Sequence, residues 1–370
     1  MRTERKALLL SVGYGQGHHM AARALADELA RRGWRTTTAD ACAEAHPALF
    51  RLTQEFYRFC VRHMPWVWGA VYGQIDAADW SRLICMPGIA GCMRWLRRHI
   101  KQDPPDLVIC TYPLFAYMLD ALAREGSLHA PYAVVVTDSL AICRPWIQNG
   151  APLICLPDEY SAAIVQERYA LPTERLATTG FPVRAGVVRW AERGPLHPGS
   201  QGEGVHVIYS CHAPLPRVVA DVQTMLAEWP RLRLTLLAEN LAARLSSCLG
   251  PLPEQVRVCG EAQDMAALLP TAHIYIGKAG ASTMFEAYSA EVPMLVNYAL
   301  PGQEEGNLQL LLRDGAGKYA DTPEALLHCL RLLLADSGAG WAAMLRAMVA
   351  AHRSGGAART IDECERRFFT

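Results

Sequence analysis

Polar and glycine residues with the spacing of a ligand site cluster between Gly277 and Gly317. The run G-K-A-G-A-S-T-M-F-E-A-Y leaves an apolar stretch, 273–276, crosses a glycine turn and enters a segment with Met284, Ala287 and Tyr288 at helical spacing. A strand, a glycine turn and a helix N-terminus in succession offer an anion free backbone N–H groups and the positive end of a helix dipole. Gly280, Ser282 and Thr283 fall at that turn and in the first helical turn. Glu286 lies one to two turns in, where its carboxylate could accept both hydroxyls of a ribose. Residues 292–296 read as the next strand, and P-G-Q-E-E-G-N, 301–307, follows its C-terminal end, where open α/β sheets bind ligands. The amides and carboxylates of Gln303, Glu304 and Asn307 suit a polyol.

The elements that must position these groups alternate as strand and helix. An apolar run at 7–12 empties into G-Y-G-Q-G-H-H-M before a helix over 21–32, whose apolar face is Ala22, Leu25, Ala26 and Leu29 and whose stop is Gly33. Further strands are expected at 36–39, 106–110, 133–136 and 153–156, then at 205–209, 232–238 and 256–259. Thr137-Asp138 ends one strand, and Asp138 could serve a cleft at that sheet edge or cap the following turn. Residues 46–100 break the alternation and are dense in aromatic and basic groups, among them Trp66, Trp68, Trp80 and Trp95 with Arg94, Arg97, Arg98 and Lys101. Such a mixture suits a membrane interface, or a helical subdomain with the aromatics as core. The Gly- and Pro-rich segment 193–204 reads as a linker. It divides an N-terminal domain, 1–192, from a C-terminal domain, 205–345, and 346–370 is expected to return to the first domain as a helix.

Composition narrows the class. The 370 residues are 51% hydrophobic and 19% charged, enough for two ordinary cores, and 36 basic residues balance 36 acidic ones. A nucleic-acid footprint is not expected. The 12 cysteines carry no C-x-x-C and no paired Cys/His spacing, so they read as reduced core residues of a cytoplasmic protein, with no metal site. The N-terminal M-R-T-E-R-K-A-L-L-L-S-V-G is read as a buried first strand rather than a signal peptide. No run reaches the roughly 20 apolar residues of a spanning helix, so any membrane contact would be peripheral. Nothing in the sequence speaks to oligomeric state.

K-A-G-x-x-T-x-x-E-A followed by P-G-Q-E-x-G-N resembles the nucleotide-sugar signature of the monogalactosyldiacylglycerol synthase type of diacylglycerol glycosyltransferase. The resemblance implies the GT-B fold, in which two Rossmann-like doubly wound α/β domains face across a cleft. It implies a UDP-sugar donor as co-substrate without further cofactor, and a lipid or other hydrophobic acceptor. It makes Glu286 the ribose-binding acid and Gln303, Glu304 and Asn307 the sugar-binding loop. The Gly17-His18 pair leading to Ala21-Ala22 matches the loop that carries the family's base, which assigns that role to His18. Gly17, Asp138, Trp66 and Trp68 then fall on the acceptor side. The chain departs from the family at 210–216, where S-C-H-A-P-L-P replaces a glycine-rich turn. Ser210 and His212 are the side chains there able to meet a diphosphate. The reading is an inverting glycosyltransferase. Transfer to a soluble hydrophobic metabolite, a sugar-nucleotide epimerase and a non-catalytic relative are the alternatives.

Overall fold

The computed structural model describes residues 4–14, 17–78, 80, 86–184, 198–199, 201–261, 263–302 and 304–370. The chain forms two compact units. The first comprises Met1–Ala185, Pro301–Gly306 and Ser354–Thr370, and the second Gly186–Leu300 and Asn307–Arg353. Of the segment 193–204, only 198–199 and 201–204 are described.

In the first unit the elements run β1 (Lys6–Leu10), α1 (Gly17–Arg31), β2 (Arg35–Ala39), α2 (Ala41–Ala45), α3 (Pro47–His63), α4 (Pro65–Ala77), α5 (Pro87–Gln102), β3 (Leu107–Cys110), α6 (Pro113–Arg124), β4 (Tyr132–Val135), β5 (Leu153–Leu156), α7 (Glu159–Tyr169) and β6 (Leu176–Thr178). The strands pair in parallel in the order β2-β1-β3-β4-β5-β6. β3, β4 and β5 are buried at every residue because helices cover both sheet faces, which is why these segments are apolar throughout rather than alternating. Ala21, Leu25 and Leu29 of α1 supply part of that cover, and Gly33, at φ +81°, lets the chain turn off the helix.

The second unit runs β7 (His206–Ser210), α8 (Leu215–Glu228), β8 (Arg233–Leu237), α9 (Ala242–Leu249), β9 (Val256–Cys259), α10 (Met265–Leu268), β10 (Ile274–Lys278), α11 (Ala281–Ala290), β11 (Met294–Tyr298), α12 (Glu305–Arg313), β12 (Gly317–Tyr319) and α13 (Pro323–Ala350). Its sheet is also parallel, in the order β12-β11-β10-β7-β8-β9. β10 extends to Lys278 by pairing with Tyr298. The three-residue β12 has no counterpart in the sequence reading, being too short to show a period. Over its length α13 is apolar enough for a membrane span, but Ala335–Gly338 leave helical geometry and its Leu330, Leu333 and Trp341 lie in the core. The last helix, α14 (Gly356–Phe368), belongs to the first unit, where Arg32 and Trp34 bond to Glu365 and Thr360 bonds to Thr179.

Both strand orders reverse once, between β1 and β3 in the first sheet and between β10 and β7 in the second. Doubly wound sheets open a crevice beyond the strand C-termini at such a reversal. In the first unit that places the loop before His18 beside Thr111 and Tyr112. In the second it places Lys278–Gly280 beside Ser210–His212.

The aromatic insertion is helical, and it divides in a way the sequence reading did not foresee. Trp80, 8% exposed, is core, and Trp95 packs against the core and stacks on His99 with centroids 4.8 Å apart. Arg97 is committed to Glu125 at 2.6 Å. The exposed apolar surface lies elsewhere, on α3. Leu49, Leu52, Phe56 and Phe59 recur at three- and four-residue steps and are 51%, 63%, 61% and 52% exposed, with Trp66 of α4 at 73%. The Trp68 side chain lies outside the described residues.

Candidate active site

His18 is the second residue of α1, at the mouth of the β1–β3 reversal. Two threonines hold it. Thr111 Oγ1 donates to the His18 backbone carbonyl at 3.0 Å, and Thr137 Oγ1 lies 2.8 Å from His18 Nδ1. Tyr112 meets the imidazole edge-on at 5.2 Å and Trp146 lies at 6.0 Å. Burial among these rings lowers the His18 pKa to about 4; the Thr111 contact opposes that shift and His19 adds to it. The ring is therefore neutral at pH 7.

Asp138 is buried, and its Oδ2 accepts from Trp146 Nε1 at 2.7 Å. Burial raises its pKa to about 6, opposed by the Trp146 bond and reinforced by Glu304. Glu304 is itself buried and belongs to the first unit, in the Pro301–Gly306 loop. That loop seats closely, since a Cβ on Gly306 would collide with the Ser139 carbonyl oxygen. The turn ahead of His18 is fixed by Asp40 Oδ2, which accepts from Gly13 N at 3.1 Å, and by Gln54 Nε2, which donates to Gly13 O at 2.6 Å. A Cβ on Gly17 would meet nothing within 4 Å, so space does not impose glycine there.

His18, Asp138, Tyr112 and Trp146 line a 530 Å³ cavity inside the first unit. Tyr14, His46 and Thr53 add polar groups to its wall, and the rest is mostly apolar, including Phe50, Phe56, Trp80, Ile89 and Leu114. Leu49, Phe56 and Met86 line it and are also exposed, so the cavity opens onto the apolar face of α3. Cavities of a few hundred Å³ with few convergent polar groups are the usual form of a small-molecule site.

In the second unit Gly280 caps α11 in extended geometry, without a side-chain bond of its own. Ser282 and Thr283 lie half-buried in the first turn, and Glu286 is buried further along it. Asn307 Nδ2 donates to Ala279 O at 3.0 Å, so it braces the glycine turn. Ser210 Oγ and His212 Nδ1 are 2.9 Å apart after β7, and His212 is exposed. Pro214 caps α8 and Pro216 occupies its first turn, which removes backbone donors a phosphate would use. Gln303 lies outside the described residues. Among the described residues no three His, Cys, Asp or Glu side chains are grouped to hold a metal.

The structure thus brings His18, Asp138 and Glu304 into the first unit and gathers Gly280, Ser282, Thr283, Glu286, Asn307, Ser210 and His212 in the second. Sequence reasoning did not nominate Thr137, Trp146, Asp40 or Gln54. Thr137 was visible as the neighbour of Asp138, but its contact with His18 depends on the packing of β1, β3 and β4.

Comparison with known proteins converges on one family. Over 344 residues the chain is 22% identical to the processive diacylglycerol beta-glucosyltransferase of Bacillus cereus (strain AH187), spanning 89% of this chain and 87% of that one. It is 23% identical over 349 residues to the chloroplastic monogalactosyldiacylglycerol synthase 1 of Arabidopsis thaliana, covering 87% of this chain and 63% of that one. Residues 18–183 match the family model described as monogalactosyldiacylglycerol (MGDG) synthase. The chain is similar to these glycosyltransferases over most of its length. Its GT-B fold is shared with the crystal structure of the glycotransferase of kitacinnamycin, at a TM-score of 0.65 and 17% identity over 99% of each chain. This glycosyltransferase's match to the family model begins at His18 and lies within the first unit.

Proposed function

We propose that this glycosyltransferase moves a sugar from a UDP-sugar to the hydroxyl of a lipid seated in the first unit's cavity, inverting the anomeric carbon, with His18 as the base. The observation that carries the reading is His18 in the wall of a mostly apolar cavity that is also lined by the exposed side chains Leu49 and Phe56 of α3. Diacylglycerol, the acceptor in the relatives' names, has the matching chemistry: one hydroxyl on a hydrocarbon body.

In this account the His18 Nδ1–H donates to Thr137 Oγ1, which leaves Nε2 with a lone pair for the acceptor hydroxyl. As the acceptor oxygen bonds to the anomeric carbon its proton passes to Nε2. The bond from that carbon to the diphosphate breaks, and its electron pair leaves with UDP. A histidine with a pKa near 4 is a weak base, so it takes the acceptor proton as the new bond forms rather than ahead of it. The donor groups assigned to the second unit are the α11 N-terminus with Gly280, Ser282 and Thr283 for the diphosphate and Glu286 for the ribose. Ser210 and His212 supplement the diphosphate contacts that the proline-capped α8 cannot make. Gln303 and Glu304 address the sugar, and Asn307 braces the glycine turn ahead of α11. No metal takes part in this scheme.

The exposed α3 face adds a peripheral membrane partner to the reading, since a lipid acceptor must be drawn from a bilayer. The test is conversion of diacylglycerol to a glycolipid by purified protein across a panel of nucleotide sugars, followed by mass spectrometry. Glycosylation of a soluble hydrophobic alcohol with no conversion of diacylglycerol would overturn the lipid acceptor.

A further inference from the structure

Cys42 and Cys92 are far apart in the sequence and belong to no motif, yet they meet in the wall of the His18 cavity. Cys42 is the second residue of α2, Cys92 lies in the second turn of α5, and both line that cavity. Gly91 lets the two helices approach, since a Cβ there would collide with the imidazole of His46 at the C-terminal end of α2. The two thiols are linked to each other. Cys42 S–H donates to Cys92 Sγ, and Cys92 S–H donates to the Gly88 carbonyl oxygen at 3.5 Å. The bond from Cys42 holds the Cys92 thiol below its ordinary range, against burial and the Asp40 carboxylate, and pushes the Cys42 thiol up. Cys92 therefore ionises first, and the thiolate is the reactive form.

Cys42 also bears on the loop that carries His18. Asp40 Oδ1 accepts from Cys42 N and Ala43 N, each at 3.0 Å, and Asp40 Oδ2 accepts from Gly13 N at 3.1 Å. One carboxylate thus ties the start of α2 to the turn ahead of His18. We infer that Cys42 and Cys92 form a redox modification site, which a hydroperoxide closes to a disulfide that draws α2 toward α5 and, through Asp40, displaces the turn ahead of His18 and slows sugar transfer. The effect on rate rests on the reading of His18 as the base; the disulfide does not.

The chemistry balances on these two sulfurs. The Cys92 thiolate attacks the O–O bond and becomes a sulfenic acid, while the departing oxygen takes the proton that Cys92 gave up and leaves as an alcohol or water. Cys42 Sγ then displaces the hydroxyl from Cys92 Sγ, which forms the S–S bond and releases water. Two electrons pass from the sulfurs to the O–O bond, and a thiol reductant reverses the change by exchange. Cys92 is 4% exposed and is reached through the mostly apolar cavity, which suits a small or lipid-borne hydroperoxide rather than a folded oxidoreductase.

The test treats wild type, Cys42→Ala and Cys92→Ala with hydrogen peroxide or cumene hydroperoxide and maps disulfides by mass spectrometry of unreduced peptides. Thermal melts check that both variants are folded. Wild type is expected to give a bridged Cys42–Cys92 peptide pair and to lose two titratable thiols of its 12. Its rate of glycolipid formation should fall roughly tenfold or more, because small misplacements of a catalytic group are costly, and dithiothreitol should restore it. Each alanine variant should keep its own untreated rate within about twofold in either oxidant, having lost one partner of the bond. A bridge formed by either oxidant supports the site, and the one that acts at lower concentration identifies a lipid-borne or a water-borne source. No bridged pair, a bridge to a different cysteine, or a bridge that leaves the rate unchanged overturns the inference. If untreated wild type makes no glycolipid, the lipid-acceptor reading falls by itself, and the peptide map with the rate of UDP-sugar hydrolysis still decides this one.

Discussion

Replacing Phe56 and Phe59 together by serine should release the protein from lipid vesicles. Full burial of a leucine or phenylalanine side chain contributes about 1.5–3 kcal/mol. Leu49, Leu52, Phe56 and Phe59 keep between 51% and 63% of their surface exposed, so transfer into a headgroup layer adds about 1 to 1.5 kcal/mol each. The four residues together supply roughly 4–6 kcal/mol before the cost of association. Loss of the two phenylalanines removes roughly 2–3 kcal/mol, a weakening of about 30- to 150-fold in the partition constant. Arg51 and Arg58 are exposed on the same helix, so wild-type binding should favour anionic vesicles and fall with salt. Flotation with anionic and neutral liposomes reads both effects. Because the two rings are exposed, the double variant should melt within a few degrees of wild type. By contrast, Trp80→Ala, at a core indole, should cost about 3–5 kcal/mol of stability. A double variant that floats like wild type, or a wild type that stays with the soluble fraction on anionic vesicles, would refute the role given to α3.

Three further outcomes follow from the site. Thr137→Val removes the oxygen at His18 Nδ1 and should lower kcat about fivefold, as expected from the roughly 1 kcal/mol of one such bond, while Thr137→Ser stays within twofold. A larger loss in the serine variant than in the valine variant would remove the positioning role. Asp138→Asn keeps an acceptor for Trp146 and removes a buried charge. The folded pKa, about 6, lies above the unfolded value near 3.9, so the wild type bears the cost of ionisation above pH 6. The asparagine variant should be about 2–3 kcal/mol more stable at pH 8, and the gain should vanish by pH 4; denaturant titration at the two pH values checks it. Glu286→Ala should weaken UDP itself, whereas Glu304→Ala should weaken discrimination among UDP-sugars, and calorimetric titration separates the two. Equal loss of UDP affinity in both variants would remove Glu304 from sugar recognition.

Much of this was legible in the sequence, for identifiable reasons. Parallel strands buried on both faces are continuous apolar runs, so β3, β4 and β5 stand out, and the glycine turn before α11 and the stop at Gly33 are local signals. The linear pattern says nothing of which aromatic is core and which is surface. Trp80 and Trp66 look alike in sequence, yet one walls a cavity and the other is the most exposed of the large apolar side chains described, because exposure depends on how α3, α4 and α5 pack. The stripe from Leu49 to Phe59 was readable as a helical period, but such a period ordinarily faces a core, and only the packing shows this one turned outward. Thr137 needed the strand order: it reaches His18 because β3 lies between β1 and β4. The P-G-Q-E-E-G-N loop reads as one motif, yet Glu304 falls in the first unit and Asn307 in the second, a division made by tertiary contacts alone.

The central claim is that His18 deprotonates the hydroxyl of a lipid acceptor. Its most direct test is the rate of glycolipid formation from diacylglycerol by wild type, His18→Ala and His19→Ala, alongside UDP affinity for each. The account predicts that His18→Ala loses about a hundredfold or more in kcat with UDP binding unchanged, and that His19→Ala stays within a few-fold of wild type. A His18→Ala enzyme within a few-fold of wild type, or one whose loss lies wholly in UDP affinity, would contradict it.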